Sequence, residues 1–233
     1  MPAQKGPPRL SVIIPSYNEG KTLPILLQKV LAVSVVQEVI IVDDGSTDFT
    51  SLLLDPFRDK GGIKIIRCSD NSGKGAAIRR ALPEVTGDLV IIQDADLELD
   101  PQDYLKMIVR HEETGCPVVY GSRRISRGTP SLIRFYFARK ILSLLTNLLY
   151  GQRLTDEPVC YKMFETDLLK GIPLTCEGFE FCPEVTAKIA RRGIRIEEVP
   201  IRYYPRSFRE GKKVRLNDAV VAVWTLIKYR FVN

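Results

Sequence analysis

Two carboxylates, Asp94 and Asp96, stand directly after the apolar run Asp88-Leu-Val-Ile-Ile92. Carboxylates so close together repel each other unless a cation offsets their charge. Mg²⁺ and Mn²⁺ bind such oxygen ligands and complete their shells with water and phosphate oxygens, and Glu98 could supply a third ligand. The alternative is a helix cap or solvated turn, which is common for Asp, here with Pro101 nearby. The position after an apolar run favours the metal site.

Two other apolar runs also end in polar residues. Ser16-Tyr-Asn-Glu19 follows the first run and Pro15, and Asp43-Asp-Gly-Ser46 follows the second. In the latter, Asp44 could accept hydrogen bonds from a base or ribose, although an ordinary Asp-Gly turn fits the same residues. In parallel sheets, ligands bind beyond the carboxyl ends of the strands, so the three clusters predict one site.

The segment Asn71-Ser-Gly-Lys-Gly75 opens a predicted helix. Its backbone amides and Lys74 suit a diphosphate, or a carboxylate of the metal site. The spacing is not that of the phosphate loop in nucleotide hydrolases. The segment is weak evidence when taken alone.

Basic residues form three clusters in the second half of the chain. One guanidinium group can bind two phosphate oxygens at once. Residues four apart, such as Arg139 and Ser143, share a helix face. A solvated charged surface is the alternative for each cluster. The clusters are Arg123 with Arg124; Arg139, Lys140 and Ser143; and Arg206, Arg209, Lys212 and Lys213.

A general base has several carboxylate candidates, of which Asp156 in Thr155-Asp-Glu157 is the first. Transfer to a hydroxyl needs such a base. A phosphate acceptor is already an anion, and Asp156 would then orient an arginine. His111 is the only histidine and lies in a charged helical stretch, which excludes Ser-His-Asp chemistry.

The composition agrees with one globular domain of 233 residues, with 45% hydrophobic and 27% charged residues. Residues 1–120 carry 13 Lys and Arg against 17 Asp and Glu, whereas residues 121–233 carry 21 against 11. The acidic half suits a metal and the basic half suits phosphates. No run is long enough for a membrane span, no secretory signal is evident, and the five cysteines show no Cys-x-x-Cys pair. We therefore expect a cytoplasmic protein with free thiols and no nucleic-acid partner.

The elements that must position these residues alternate between short apolar strands and helices. Strands are predicted at 10–14, 38–42, 63–66, 88–92, 118–120 and 194–203, and helices at about 22–31, 74–82, 131–150 and 217–231. This order predicts an α/β fold with a mostly parallel central sheet flanked by helices. The expected division is a flexible N-terminus at 1–9, a domain at 10–215, and an amphipathic helix at 216–233. The domain has a donor half at about 10–120 and an acceptor half at about 121–215.

The ordered motifs resemble the family-2 glycosyltransferases, and within them the polyprenyl-phosphate sugar synthases typified by dolichyl-phosphate mannose and glucose synthases. The resemblance covers about residues 10–230. It rests on Val12-Ile-Ile-Pro-Ser-Tyr-Asn-Glu19, Val42-Asp-Asp-Gly-Ser-Thr-Asp48, Asn71-Ser-Gly-Lys-Gly75, Gln93-Asp-Ala-Asp-Leu97, Gly121-Ser-Arg123, Thr155-Asp156, Gly178-Phe-Glu-Phe181, Glu198-Val-Pro-Ile201 and Arg206 to Lys213.

The resemblance implies a single nucleotide-binding, Rossmann-like domain of the GT-A type and a role for each motif. The implied donor residues are Pro15, Tyr17, Glu19, Asp44, Lys74 and Asp94; the metal ligands for Mg²⁺ or Mn²⁺ are Asp94, Asp96 and Glu98; the residues on the acceptor phosphate are Ser122, Arg123, Arg139, Ser143, Arg206 and Lys213; and the catalytic residues are Asp96, Asp156 and Arg123. Two segments depart from the family pattern: Asp94 to Pro101, where Glu98 changes the third ligand, and Thr155 to Tyr161.

The sequence therefore predicts inverting, metal-dependent transfer of a hexose from a GDP- or UDP-sugar, with GDP-mannose and UDP-glucose as leading donors. The predicted acceptor is a dolichyl or undecaprenyl phosphate, and the protein would lie peripherally at the cytoplasmic face of the membrane, with Trp224 and Tyr229 as interfacial anchors. Core packing of the two amphipathic helices explains the same apolar residues equally well. One alternative is transfer to a hydroxyl of a soluble glycan with Asp156 as base, and another is a nucleotide-binding module without enzymatic activity.

Overall fold

A computed structural model describes residues 8–58, 60–124, 133–206 and 216–232 of the chain. Within these residues, seven strands alternate with helices. The strands are β1 (Leu10–Ser16), β2 (Val36–Asp43), β3 (Ile63–Arg67), β4 (Leu89–Ile92), β5 (Val118–Ser122), β6 (Lys162–Glu165) and β7 (Glu197–Pro200). The helices are α1 (Leu23–Leu31), α2 (Thr50–Leu54), α3 (Lys74–Ala81), α4 (Tyr104–Thr114), α5 (Ile133–Tyr150), α6 (Thr166–Lys170), α7 (Phe181–Arg191) and α8 (Leu216–Phe231).

The strands form one sheet in the order β3-β2-β1-β4-β6-β5-β7. All neighbours are parallel except β6, which runs antiparallel to both β4 and β5. The sheet order reverses at β1, whose neighbours β2 and β4 both end at the same edge as β1. This arrangement brings the three polar clusters at the ends of β1, β2 and β4 together, as the sequence predicts.

The main hydrophobic core covers both faces of the sheet, because the central strands are apolar at nearly every position. Strand β4, Leu89–Ile92, is buried along its whole length, as parallel strands flanked by helices are. A second, smaller core lies between α5, α7 and α8 and is built on Leu142, Ala187, Leu226 and Tyr229. These three helices therefore pack together through a core of their own.

The predicted α/β fold with a mostly parallel sheet is confirmed. Strand β6 and helix α7 were not predicted, and the predicted strand at 194–203 is shorter, at Glu197–Pro200. Of the expected flexible N-terminus, residues 1–7 lie outside the described residues, and Arg9 is held by the Asp88 carboxylate at 3.2 Å. In the described parts of the chain, no helix is both long enough and apolar enough to cross a membrane.

Candidate functional site

A cavity of about 610 Å³ opens at the edge where β1, β2 and β4 end. That volume is within the ordinary range for a small-molecule site. One wall comes from the strand ends, and the opposite wall comes from α5, α7 and α8. The strand-end lining residues are Pro15, Ser16, Tyr17, Glu19, Asp44, Asp94 and Asp96, and those of the helical wall are Ala138, Arg139, Leu142, Cys182, Pro183, Asp218, Ala219 and Ala222.

Asp94, directly after β4, forms an ion pair with Lys74 at the start of α3. The Lys74 side chain is 12% exposed and the Asp94 side chain 32%. Burial would raise the pKa of Asp94, but the charge and hydrogen bond of Lys74 lower it below its usual value. The Lys74 ammonium also donates to Cys160 Sγ at 3.3 Å. The pair thus places a carboxylate and a cation side by side on the cavity wall.

Asp96 pairs with a residue from the far end of the chain. Its Oδ2 lies 2.9 Å from Arg206 Nη2, and the Arg206 guanidinium also contacts Glu19 Oε1 at 3.2 Å. Burial and the charge of Asp94 raise the pKa of Asp96 to about 7, against the lowering effect of Arg206. Burial, together with the neighbouring Asp94 charge, thus disfavours the ionised form of Asp96.

The three predicted metal ligands each contact another group of the protein, and their role as a metal site stays a prediction. Among the described residues, no three His, Cys, Asp or Glu side chains are grouped to hold a metal ion. The reason is that Asp94 turns to Lys74, Asp96 turns to Arg206, and Glu98 Oε1 accepts the Arg206 backbone amide at 2.9 Å. Two hard oxygen ligands, Asp94 and Asp96, still fit Mg²⁺ or Mn²⁺, because such ions draw further ligands from phosphate and water. The raised pKa of Asp96 agrees with that fit, since a divalent cation would relieve the excess charge.

Two amides at the start of α3 form hydrogen bonds inside the protein. The Gly75 and Ala76 amides donate to the backbone carbonyls of Gly178 and Glu177. Gly73 has a φ of +95°, and a Cβ there would lie 2.4 Å from the Glu177 carbonyl oxygen, so only glycine fits. Lys74 of this segment contacts Asp94, a carboxylate of the predicted metal site, which is one of the two roles predicted for the segment. Binding of a diphosphate stays a prediction.

The Asp44 side chain fixes the Gly-rich turn before α3. Its carboxylate accepts the Ser72 and Gly73 amides, the latter at 2.7 Å, and pairs with Arg80 at 3.3 Å. Asp44 also lines the cavity, so one carboxylate both fixes the turn and faces the predicted base and ribose region.

The end of β1 supplies the neighbouring wall. Pro15 and Tyr17 line the cavity, and between them the buried Ser16 hydroxyl has no hydrogen-bond partner among the described residues. A buried hydroxyl without a partner is costly unless a ligand or water satisfies it. This edge therefore suits a ligand with polar groups, as a nucleoside has.

Across the cavity, Arg123 and Asp156 form a buried ion pair. Asp156 Oδ2 accepts Arg123 Nε at 2.7 Å and the Arg123 amide at 3.0 Å, and Oδ1 accepts Nη2 at 2.8 Å. Burial would raise the pKa of Asp156, but Arg123 lowers it below its usual value. Asp156 is fully buried behind the arginine, so it orients Arg123 and is not placed to act as a base toward the cavity.

Arg139 of α5 lies beside this pair, and the ring of Tyr203 joins the two arginines. The Tyr203 ring centroid is 5.2 Å from Arg123 Cζ and 5.8 Å from Arg139 Cζ. Burial and the charge of Arg123 lower the pKa of Arg139. Sequence reasoning missed Tyr203, although its place just before Arg206 in a segment of aromatic and basic residues was a usable signal.

Three of the other four predicted acceptor residues have partners inside the protein, and the fourth lies outside the described residues. Ser122 Oγ is buried against Thr155 Oγ1 at 2.6 Å, and Ser143 Oγ donates to the Arg139 carbonyl and accepts the Glu157 amide. Both hydroxyls support the Arg123 and Arg139 segments and do not line the cavity. Arg206 lies at the carboxylate end with Asp96, and Lys213 falls outside the described residues.

A buried network supports Asp94 from behind. Gln93 Nε2 donates to the Asp94 carbonyl at 2.8 Å, and Gln93 Oε1 accepts the hydroxyls of Tyr104 and Tyr161 at 2.5 and 2.6 Å. Gln93 is completely buried. Sequence analysis identifies Gln93 only as part of a motif, because nothing local to it predicts contact with two tyrosines from distant segments.

Comparison with known proteins gives matches along most of the chain. The model of Glycosyl transferase family 2 matches residues 11–172. An undecaprenyl-phosphate 4-deoxy-4-formamido-L-arabinose transferase of Photorhabdus laumondii is 31% identical over 210 residues, covering 88% of this chain and 62% of the relative. The protein of the same name from Salmonella choleraesuis is 30% identical with the same coverage. The chain thus spans about three fifths of the length of these curated relatives.

Solved structures share the fold. Glucosyl-3-phosphoglycerate synthase of Mycobacterium tuberculosis, solved with Mn²⁺, UDP and phosphoglyceric acid, superimposes with a TM-score of 0.70 at 22% identity, covering 97% of this chain and 80% of that one. A structure of the same synthase with Mg²⁺ and UDP gives a TM-score of 0.67 at 21% identity, covering 95% and 78%. The predicted GT-A fold is confirmed.

Proposed function

The chain belongs to glycosyl transferase family 2, and from this premise we propose that it transfers a hexose from a nucleotide sugar to a polyprenyl phosphate. The transfer inverts the anomeric carbon and depends on Mg²⁺ or Mn²⁺. GDP-mannose and UDP-glucose are the leading donors, and a dolichyl or undecaprenyl phosphate at the cytoplasmic membrane face is the acceptor.

One observation carries the proposal: a single cavity has carboxylates at one end and a pair of partly buried arginines at the other. Asp94 and Asp96 line the end formed by the strands, and Arg123 and Arg139 line the opposite side. A transferase that joins a diphosphate donor to a phosphate acceptor needs a site for each anion in one space. This charge distribution supports two anionic substrates facing each other.

At the donor end, Pro15, Tyr17, Glu19 and Asp44 would contact the nucleoside, and Lys74 would lie beside the diphosphate. Asp94 and Asp96 would hold the divalent cation. When bound, that cation offsets the negative charge that develops on the departing nucleoside diphosphate. Lys74 is placed for the same purpose, since its ammonium lies at Asp94, where the charge would accumulate.

At the acceptor end, Arg123 and Arg139 would bind the phosphate with their planar guanidinium groups. A phosphate oxygen then attacks the anomeric carbon, the bond from that carbon to the donor diphosphate breaks, and the diphosphate leaves from the opposite face. The phosphate nucleophile is already an anion near neutral pH, so it needs positioning and no general base. The buried Asp156–Arg123 pair supports this route over transfer to a hydroxyl, for which Asp156 was the candidate base.

Apart from Asp218, the cavity wall beyond the arginines is apolar. It is lined by Leu142 of α5, Pro183 of α7, and Ala219 and Ala222 of α8. Small and apolar side chains leave room for a hydrocarbon and offer few partners to a polar acceptor. This wall therefore supports an acceptor whose phosphate continues into a hydrocarbon, as a polyprenyl phosphate does.

Helices α5 and α8 also support contact with a lipid surface. Each packs one side against the small core between them and leaves an apolar stripe exposed. Both stripes have the same 4-3-4 spacing, and basic residues including Lys140, Lys228 and Arg230 occur on the same helices. That combination is typical of helices lying in a membrane interface. The stripes are Phe137, Ile141, Leu144 and Leu148 on α5, and Val220, Trp224, Ile227 and Phe231 on α8.

The reaction is tested by incubating the protein with a panel of radiolabelled nucleotide sugars and a short polyprenyl phosphate, with and without Mn²⁺. We expect lipid-soluble product with at least one donor, dependent on both the phosphate and the metal. The corresponding polyprenol, which lacks the phosphate, is the matched control and should give none. Release of free sugar that is indifferent to the acceptor would contradict the proposal, as would product formed on the polyprenol.

Membrane contact is tested by flotation with liposomes that contain anionic lipid. Replacing Leu148 and Phe231, both 80% exposed, by Ser should reduce flotation while leaving the melting temperature unchanged, because exposed substitutions cost little stability. The exposed Leu52, 71% accessible on the distant helix α2, provides a matched control as Leu52→Ser. Equal flotation of all variants would contradict a role for α5 and α8.

A further inference from the structure

We infer that Tyr203 is a positioning residue that holds Arg123 and Arg139 together as one phosphate-binding unit. The inference deepens the proposed function and rests on it, because it concerns the acceptor end of that same cavity. The tyrosine would act through its ring, against which both guanidinium groups lie, and would therefore determine affinity for the acceptor phosphate and not for the donor.

The geometry of the ring carries the inference. Tyr203 is 6% exposed and lines the cavity. The Cζ atoms of Arg123 and Arg139 lie 5.2 and 5.8 Å from its ring centroid. Both distances are within the range of about 6 Å in which a cation is attracted to an aromatic ring. The two arginines come from different elements, the end of β5 and the middle of α5, so the ring is a shared contact between them.

The charges explain why such a contact is needed. Two guanidinium groups placed in one partly buried region repel each other and lose hydration. Asp156 takes its short hydrogen bonds from Arg123, so it offsets that charge directly. Arg139 gains the Asp156 charge only at longer range, and its lowered pKa reflects burial and the charge of Arg123. The negative face of the Tyr203 ring is a second source of attraction, and it acts on both arginines at once.

The backbone at Tyr203 is also held in place independently of the arginines. Tyr203 forms an isolated β-bridge with Leu99, and the next amide, that of Tyr204, donates to the Glu98 carbonyl at 2.8 Å. The backbone that carries the ring is thus fixed to the loop that follows Asp94 and Asp96. The ring can therefore position the arginines relative to the carboxylate end of the cavity.

The test compares Tyr203→Leu, which removes the ring, with Tyr203→Phe, which keeps it. Tyr204→Leu is the matched control, because it makes the same change at the next position, where the side chain is 57% exposed. Two affinities are measured for each full-length variant by calorimetry: that for citronellyl phosphate, and that for whichever of UDP and GDP the wild type binds with Mn²⁺. A thermal melt verifies folding, and Tyr203→Met replaces the leucine variant if the latter unfolds.

We expect Tyr203→Leu to weaken citronellyl phosphate binding about tenfold or more, since two cation–ring contacts are lost. Tyr203→Phe should stay within about threefold of the wild type by the same argument, and nucleotide affinity and Tyr204→Leu should not change. In a double-mutant cycle, Arg139→Lys should cost less in the Tyr203→Leu background than in the wild type.

Three results would overturn the inference. These are unchanged phosphate affinity in Tyr203→Leu, an equal loss in Tyr203→Phe, or a loss of nucleotide affinity as large as that of phosphate affinity. Failure of the wild type to bind citronellyl phosphate would instead overturn the proposed function, and this inference with it.

Discussion

The two ends of the cavity hold their charges in different ways. At the carboxylate end, Asp94 and Asp96 are paired with Lys74 and Arg206, and the Asp94 side chain remains 32% exposed. At the arginine end, the Asp156 side chain is completely buried and Arg123 is 14% exposed. The first end thus presents its carboxylates to the cavity, whereas the second buries its carboxylate and presents the arginines.

The difference in exposure between the carboxylates determines what each end of the cavity can do. A partly exposed carboxylate can exchange one cation for another at modest cost, as binding of a metal requires. A fully buried, multiply hydrogen-bonded pair cannot separate without leaving a charge in a poor solvent. We therefore expect the carboxylate end to contribute mainly to chemistry, and the buried pair at the arginine end to contribute to stability as well as to binding.

Among the substitutions that distinguish the two ends of the cavity, Asp156→Asn should have the largest effect on the unfolding free energy. The substitution leaves the Arg123 charge buried without its partner, which costs about 3–5 kcal/mol of unfolding free energy. Asp94→Asn is the comparison at the other end and should cost less, because Asp94 is partly exposed and its loss also relieves repulsion on Asp96. Urea denaturation of both variants gives the two values, and equal losses would contradict a difference in stability between the two ends.

The pH dependence of the Asp156→Asn effect has a definite sign. The folded pKa of Asp156 is lowered, so its contribution is fully present above the unfolded pKa of about 4. That contribution is lost as the pH falls from there through the folded pKa. Urea midpoints should therefore differ between wild type and variant at pH 7 and converge below about pH 4. A gap that widened on acidification would contradict the ion pair as its cause.

The next effect is on catalysis at the carboxylate end. Asp96→Asn should lower kcat/KM by about 10²–10³-fold, because it removes a charge that would hold the metal near the leaving diphosphate. Stability should change little, since one of two repelling carboxylates is lost. Mn²⁺ binding, followed by electron paramagnetic resonance, should weaken in parallel. Asp100→Asn is the control, because Asp100 pairs with Arg202 and caps a turn without lining the cavity, and more than a tenth of wild-type activity in Asp96→Asn would count against the proposal.

The sequence predicts the fold and the carboxylate end well because both depend on local patterns. Apolar runs define β1, β2 and β4, and polar residues follow each run directly, so their meeting at one edge follows from parallel pairing. Strand β6 was missed because Lys162–Glu165 is short and begins with a lysine, which the local sequence does not predict to be buried. In the fold, the Lys162 ammonium lies 3.5 Å from the Tyr120 ring centroid.

The arginine end was predicted only in part, because its geometry joins distant segments. Arg123 and Arg139 were predicted to bind phosphate because they are arginines. The Ser122 and Ser143 hydroxyls form hydrogen bonds inside the protein, which their positions in the sequence do not indicate. Tyr203 is eighty residues from Arg123 in the chain, and no periodicity links them. Which loop residues come into contact depends on the assembled fold. Residues that directly follow parallel strands are instead brought together by the pairing of those strands.

The smallest effect tests the support behind Asp94. Gln93 Oε1 accepts both Tyr104 and Tyr161 hydroxyls, so Tyr161→Phe leaves one donor in place and should cost only about 1 kcal/mol of unfolding free energy. Tyr104→Phe is the matched variant and should behave alike. The double variant should cost more than the sum of the two, because only then does a buried acceptor lose every partner, and Asp94 would lose its fixed position with it. Strict additivity in urea denaturation, with kcat unchanged in the double variant, would show that the network does not position the carboxylate end.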